Sequence, residues 1–279
     1  MKKIKKIFYR IKIFTLRVLG YEKPLRVALL KYFSLKYKLF RPHYETMLLE
    51  SCTEAKKLAY NEVSILELGI AGGNGILSLE KYKKNIENIT DVKINIYGLD
   101  SGEGMPTSDN KADAIFLTKE GSYKIDKKKI DQKFGTTIIY GMIKNTIDEL
   151  FKSYPKNIVL IIFDLDYYTS TRDFLEQISK LEKFLMPRVY CYFDDVFNAT
   201  HWINEFNGEN LAIREFNKNS KNLKIGKSLD NVMDFKFPLA KNNLYIMHNF
   251  NHPDYNKYIG HDNEENSLSL GNIKTSKLF

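Results

Sequence analysis

The chain has little that would staple it covalently or hold it inside a bilayer. Only two cysteines, Cys52 and Cys191, stand in 279 residues. The first lies in a segment patterned as a helix and the second in an apolar strand-like run. They make neither a disulfide framework nor a metal knuckle, so a reducing cytoplasm is the expected compartment. No run approaches the roughly 20 apolar residues needed to cross a bilayer, and Arg10, Lys12 and Arg17 interrupt what would have to be the apolar part of a signal peptide. Acids are nearly missing from the first 41 positions: thirteen Lys and Arg face one acid, Glu22, a net +12, whereas residues 42–279 carry 30 basic against 33 acidic side chains, a net −3. A near-neutral body with a basic arm argues for an enzyme with a surface anchor or lid, and against nucleic acid as the partner. With 43% hydrophobic residues the chain can build a sizeable core, which excludes global disorder.

Within the arm, apolar residues recur at Ile4, Ile7, Phe8, Ile11, Phe14, Val18 and Leu19 with helical period, and basic residues fill the remaining surface. This predicts a basic amphipathic helix. Residues 1–42 are read as a helical extension, 43–255 as the main domain and 256–279 as a polar tail, loosely held from Asn251 onward. A helix is expected from about Tyr44 to Tyr60. The main domain then alternates short apolar runs with helical stretches, which predicts βαβ units and a parallel sheet. Strands are expected near Ser64–Ile70, Lys93–Leu99, Thr136–Tyr140, Ile158–Asp164, Val189–Asp194 and Leu244–His248. Their lack of polar alternation predicts helices on both faces.

Two groups of residues could carry chemistry at the carboxyl ends of the first two strands of such a sheet. Glu67-Leu-Gly69-Ile-Ala71-Gly72-Gly73-Asn-Gly75 runs from the first strand into a helix, where glycines let a ligand approach the backbone and unpaired N–H groups await it. No register of this loop fits Gly-x-Gly-x-x-Gly, which disfavours a nicotinamide dinucleotide. Asp100 ends the next strand, where an acid can accept the ribose hydroxyls of an adenosine-type ligand.

Together, Glu67-x-Gly69-x-x-x-Gly73 and Gly98-x-Asp100-Ser101-Gly-Glu-Gly104-Met-Pro106 resemble the class I S-adenosylmethionine-dependent methyltransferases, and more narrowly the macrocin and mycinamicin sugar O-methyltransferases. The match runs from about Ser64 to Asn217. It implies a Rossmann-like fold, α/β, with a seven-stranded mostly parallel sheet whose last strand is antiparallel. It also implies S-adenosylmethionine as cofactor, with Glu67, Gly69, Ala71 and Gly73 at its methionine part, Asp100 at its ribose and Ser101 as a further cofactor-binding residue, and a sugar or glycan hydroxyl as acceptor.

A third group is Asp164-Leu-Asp166 after one strand and Asp194-Asp195 after another. Carboxylates on neighbouring strands lie close enough to demand protons or a cation, and oxygen-only donors suit Mg²⁺ or another hard divalent ion. In the metal-dependent branch of the resembled family such positions hold the cation, which assigns Asp164, Asp194 and Asp195 to metal. Asp166 is then expected to orient the acceptor hydroxyl or take its proton, and His248, closing the last strand, is a second candidate base. Trp202 and Phe206 are candidates for the acceptor wall.

Two alternatives stay open at this point. Asp164-x-Asp166 also resembles the haloacid-dehalogenase phosphohydrolases, with Asp164 as nucleophile and Mg²⁺ required. A non-catalytic reading makes the protein a peripheral binder of anionic membrane through residues 1–20, where a lid or dimerisation helix would serve equally well.

Overall fold

The computed structural model describes residues 41–197, 202–228 and 243–260. The expected arm helix and most of the tail lie outside these residues. Pro42, with its preset φ and missing N–H, opens helix α1 (Pro42–Lys57). Six further strands and five helices follow β1 (Glu62–Leu68) in chain order: α2 (Asn74–Thr90), β2 (Lys93–Asp100), α3 (Lys127–Lys133), β3 (Thr137–Tyr140), α4 (Ile143–Lys152), β4 (Ile158–Phe163), α5 (Tyr168–Gln177), β5 (Leu185–Phe193), α6 (Gly208–Asn219), β6 (Leu223–Lys227) and β7 (Leu244–Asn249).

The seven strands form one sheet in the order β3-β2-β1-β4-β5-β7-β6. β7 runs antiparallel to the other six strands. This is the Rossmann-like methyltransferase fold, with helices on both faces. Because β1 leads outward to β2 and β3 on one side while β4 and β5 extend the other, the strand order reverses between β1 and β4. Loops leaving those two strands diverge and open a crevice.

Burial explains why β1 and β4 occupy the centre: every residue of β4 is buried, and in β1 only Glu62 is partly exposed. Below the carboxylate turns, Phe163 and Phe193 pair across β4 and β5 with rings stacked at 4.2 Å, a contact worth about 0.5–1.5 kcal/mol beyond area burial. The residues that follow them, Asp164 and Asp194, are thereby set side by side.

The expected count of seven strands holds, and the strand with no assigned position is Leu223–Lys227; its five residues place only Leu223 and Ile225 inward, too short a signal to stand out. Two expectations need correction. Strand β5 starts at Leu185, four residues before the expected Val189, because Pro187 falls where the β4–β5 register shifts and its missing N–H disturbs no ladder bond. The segment after Asn251 is anchored as far as Gly260: Tyr60 OH donates to Asp254 at 2.6 Å, Arg188 donates to the Tyr255 carbonyl at 2.9 Å, and Lys257 Nζ to the Leu58 carbonyl at 2.9 Å. Cys52 and Cys191 are both buried and unpaired. Among the described residues no helix is long and apolar enough to cross a membrane.

Candidate active site

A cleft of about 440 Å³ opens at the β1/β4 switch point. Gly69, Ala71, Asp100 and Ser101 form one wall; Asp164, Asp166, Asp194 and Asp195 form the other. The two groups read separately from the sequence therefore share one cavity. Glu67 and Gly73 do not line it. The Glu67 side chain is buried behind the loop, where a Cβ on Gly75 would stand 1.6 Å from its Oε1. The Gly73 backbone turns back in the left-handed region at φ +76°, with its would-be Cβ against the Phe134 ring.

Asp100 organises the glycine-loop wall. Its Oδ2 accepts the Ile70 and Ala71 N–H groups at 2.8 and 3.1 Å, and its Oδ1 accepts the Gly102 N–H at 2.6 Å. An ionised carboxylate has about four lone-pair sites, so a ligand hydroxyl can still add to this carboxylate. The same contacts tie the glycine loop to β2, so the loop shape does not depend on a bound ligand.

On the carboxylate wall, Asp166 adopts φ +56°, which turns its N–H toward Asp195 Oδ2 at 3.1 Å. Thr118 Oγ1 reaches Asp166 Oδ1 at 3.4 Å from the long excursion between β2 and α3. That excursion is docked by Asp113, whose carboxylate accepts the Thr169 N–H at 2.7 Å and the Thr169 hydroxyl at 2.9 Å. Asp113 thus caps the start of α5 from outside the helix, satisfying an N–H that has no partner within it.

Two further residues complete the site, and neither is legible from spacing. Arg41, at the N-cap of α1, directs both terminal guanidinium nitrogens to Asp164 Oδ2 at 3.3 Å and also donates to the Tyr44 hydroxyl. The contact spans 123 positions, and the only sequence cue is a basic residue ahead of a helix-opening Pro42. Glu209, buried at the start of α6, accepts the Asp195 N–H at 3.0 Å through Oε2, while its Oε1 has no partner.

The cleft and the layer behind it therefore gather Glu67, Asp164, Asp166, Asp194, Asp195 and Glu209 near the Arg41 guanidinium. Burial pushes the Glu67 carboxyl up to about 8. Burial and then the Asp194 charge push Asp164 up to about 7, against the pull of Arg41. Asp166, Asp195 and Glu209 are raised as well, each chiefly by burial.

A carboxyl whose pKa is higher in the fold than in the unfolded chain favours the fold while it is protonated. Its contribution is complete below the ordinary carboxylate range and is lost as pH rises through the shifted value. The melting temperature of the ligand-free protein is accordingly expected to fall between about pH 5 and pH 8.5, with each such group contributing up to about 1.4 kcal/mol per pH unit. Glu67→Gln should flatten this dependence. A melting temperature that stays level or rises across the window in the parent protein would show these groups to be ionised in the fold.

The metal expectation finds no ligand set. Among the described residues no group of three or more His, Cys, Asp or Glu is arranged to hold a metal ion. The reason is visible in the contacts: Arg41 takes Asp164, and the Asp166 N–H takes Asp195.

His248 is also corrected as a base. Because β7 runs antiparallel, its carboxyl end lies beside Arg188 near the beginning of β5, at the opposite end of the sheet from the acids. There His248 Nδ1 pairs with Tyr255 OH at 2.8 Å, and the ring stacks on Phe250. Trp202 and Phe206 do not line the cleft. Both are exposed, and Trp202 meets Phe116 edge to face at 5.8 Å.

The chain matches no protein-family model and no curated protein sequence. Among solved structures it is similar to CalS11, a calicheamicin methyltransferase, at 22% identity over 70% of this chain and 83% of that one, with a TM-score of 0.47. The apo form of the same protein, described as a TDP-rhamnose 3'-O-methyltransferase, aligns at 21% identity over 68% and 76% of the two chains with a TM-score of 0.40. The plantazolicin methyltransferase BpumL in complex with SAH aligns at 15% identity over 86% and 98%, with a TM-score of 0.35.

Proposed function

We propose that the chain is an S-adenosylmethionine-dependent O-methyltransferase acting on a hydroxyl of a sugar or glycan acceptor. The observation that carries this reading is the junction at the switch point: a glycine loop braced by Asp100 faces a carboxylate wall across one cleft. The loop backbone at Gly69–Gly72 and the carboxylate of Asp100 would hold the cofactor, Asp100 at the ribose hydroxyls. The cofactor supplies an activated methyl group on a sulfonium.

On the other side, a polyhydroxyl acceptor suits a wall of carboxylates and Ser170, each a hydrogen-bond acceptor for its hydroxyls. Asp166 is placed to accept the proton of the reacting hydroxyl, since its raised pKa brings it closer to the working range of a general base. Thr118 and the Asp195 carboxylate fix it from the side chain and the backbone. Most of the acceleration would come from holding the hydroxyl oxygen in line with the methyl group, an effect that can supply about 7–11 kcal/mol. No step is assigned to Mg²⁺. The phosphohydrolase alternative leaves the glycine loop and Asp100, half of the cleft wall, without a role.

Calorimetric titration of the protein with S-adenosylhomocysteine tests this reading, in buffer with Mg²⁺ and again with EDTA. Micromolar binding, about −8 kcal/mol, is expected in both. Absence of binding in both buffers would overturn the cofactor assignment. Binding only with Mg²⁺ would show that the acids do recruit a cation and couple it to the cofactor.

A further inference from the structure

The exposed apolar side chains are unevenly placed. Of the eleven large ones on the surface of the described residues, seven stand in loops that leave the carboxyl ends of β2, β3 and β5, among them Phe116, Phe197, Trp202 and Phe206. The other four, Ile89, Tyr154, Phe250 and Tyr258, belong to the opposite end of the sheet, where strands of the parallel set begin and β7 ends.

The aromatic end is the mouth of the cleft. The Phe116–Trp202 contact joins the β2 loop to the β5 loop at 5.8 Å, and two residues beyond Phe116 the Thr118 hydroxyl meets Asp166. Trp202 is 56% exposed even with this contact. A soluble surface seldom gathers large rings at one rim unless something covers them.

The chain outside the described residues indicates what does. Residues 1–40 carry twelve basic side chains and one acid, and they end at Arg41, whose side chain lines the cleft. The arm therefore joins the body at the cleft, whose lining also includes Tyr123 and Met142 of the exposed set, and its apolar residues recur at helical spacing with Lys and Arg between them. Basic charge with an amphipathic period matches an anionic lipid surface. Aromatic rings exposed beside it match the interfacial layer, where flat amphipathic side chains reside. A protein partner would meet the rings but not account for a net charge of +11 concentrated in forty residues.

We infer that the cleft face is a docking surface for an anionic bilayer, held electrostatically by the arm and by insertion of the aromatic rim, so that the cleft opens toward the lipid headgroups. The inference stands on the rim and the arm, and does not depend on which reaction the cleft performs.

Trp202 is the single tryptophan of the chain, so its emission reports on this face alone. The full-length protein is mixed with vesicles rich in phosphatidylglycerol and, separately, with phosphatidylcholine vesicles. Sedimentation with the anionic vesicles only, a blue shift of Trp202 emission and its quenching by bromine-labelled acyl chains are expected. Phe116→Ser, an exposed position outside the cleft, should weaken vesicle affinity about tenfold and leave S-adenosylhomocysteine binding unchanged.

Failure to sediment overturns the inference. Sedimentation with unchanged Trp202 emission also overturns it, because the arm alone would then hold the protein. Emission that is already blue without lipid and resists the brominated chains overturns it too, with the rim covered by the arm or by a second copy; sedimentation velocity separates those two.

Discussion

Replacing Asp166 by Asn is expected to lower kcat by about two to four orders of magnitude, the usual contribution of a general base, while S-adenosylhomocysteine affinity changes less than about twofold. The substitution is chosen for what it keeps. Asp166 sits in the left-handed region at φ +56°, and Asn is among the few residues with a side chain that enter that region readily, so the N–H bond to Asp195 survives. The Asn carbonyl can still accept the Thr118 hydroxyl. What disappears is the capacity to take a proton.

The pH profile provides the second readout. Burial and the Asp194 charge hold Asp166 above the ordinary carboxylate range, so parent kcat should rise with pH as Asp166 ionises, and this limb should vanish in the variant. Undiminished kcat, or an unchanged acidic limb at reduced kcat, would remove Asp166 from the base role and leave it as a group that only orients the acceptor.

The residues near the glycine loop show what a sequence can and cannot disclose. Strands β1, β2 and β4 are legible because a strand covered on both faces must be apolar along its length, and the chain direction then places Gly69, Asp100 and Asp164 at one end of the sheet. That argument fails for His248. Its strand is just as legible and His248 closes it as the acids close theirs, but the antiparallel direction expected of the last strand carries that end to the far side of the sheet. Glu67 shows a subtler failure. It stands near the end of β1, yet its side chain points behind the loop into the core, because alternate residues of a strand face opposite sides.

Arg41, Asp113 and Glu209 were missed for a different reason. Each acts across a long stretch of chain on a residue of the cleft or its support: Arg41 on Asp164, Asp113 on Thr169, Glu209 on the Asp195 N–H. Sequence spacing reports contacts within one element, and these partners meet only after the sheet has formed. Their common trait is a charged residue buried or half-buried beside a helix start. Capping preference could suggest this for Glu209 but would not name its partner.

Gly69→Ala is expected to cost the protein both stability and its ligand. A Cβ at this position would stand 1.9 Å from the Asp164 carbonyl oxygen, a backbone atom of the neighbouring strand end, and the residue has φ +81°. Neither problem can be relieved by moving a side chain. A strained left-handed conformation costs about 1–3 kcal/mol, and forcing apart a packed junction adds about 1–3 kcal/mol, so a melting temperature lower by roughly 5 °C or more should follow.

The displacement also has a direction. Gly69 donates to the Leu99 carbonyl and Asp164 donates to the Leu68 carbonyl, at 2.8 and 2.9 Å, so pushing Asp164 away separates the glycine-loop wall of the cleft from its carboxylate wall. S-adenosylhomocysteine binding should fall at least tenfold even at a temperature where the variant is fully folded. Gly72→Ala is the matched control: a Cβ there meets nothing within 4 Å and the backbone lies outside the left-handed region, so the melting temperature should stay within about 2 °C. Equal stability loss in the two variants would mean that the constraint is general to the glycines of the loop and not the contact with Asp164. Loss confined to Gly69 locates the constraint at the junction of β1 and β4, where the fold makes its cleft.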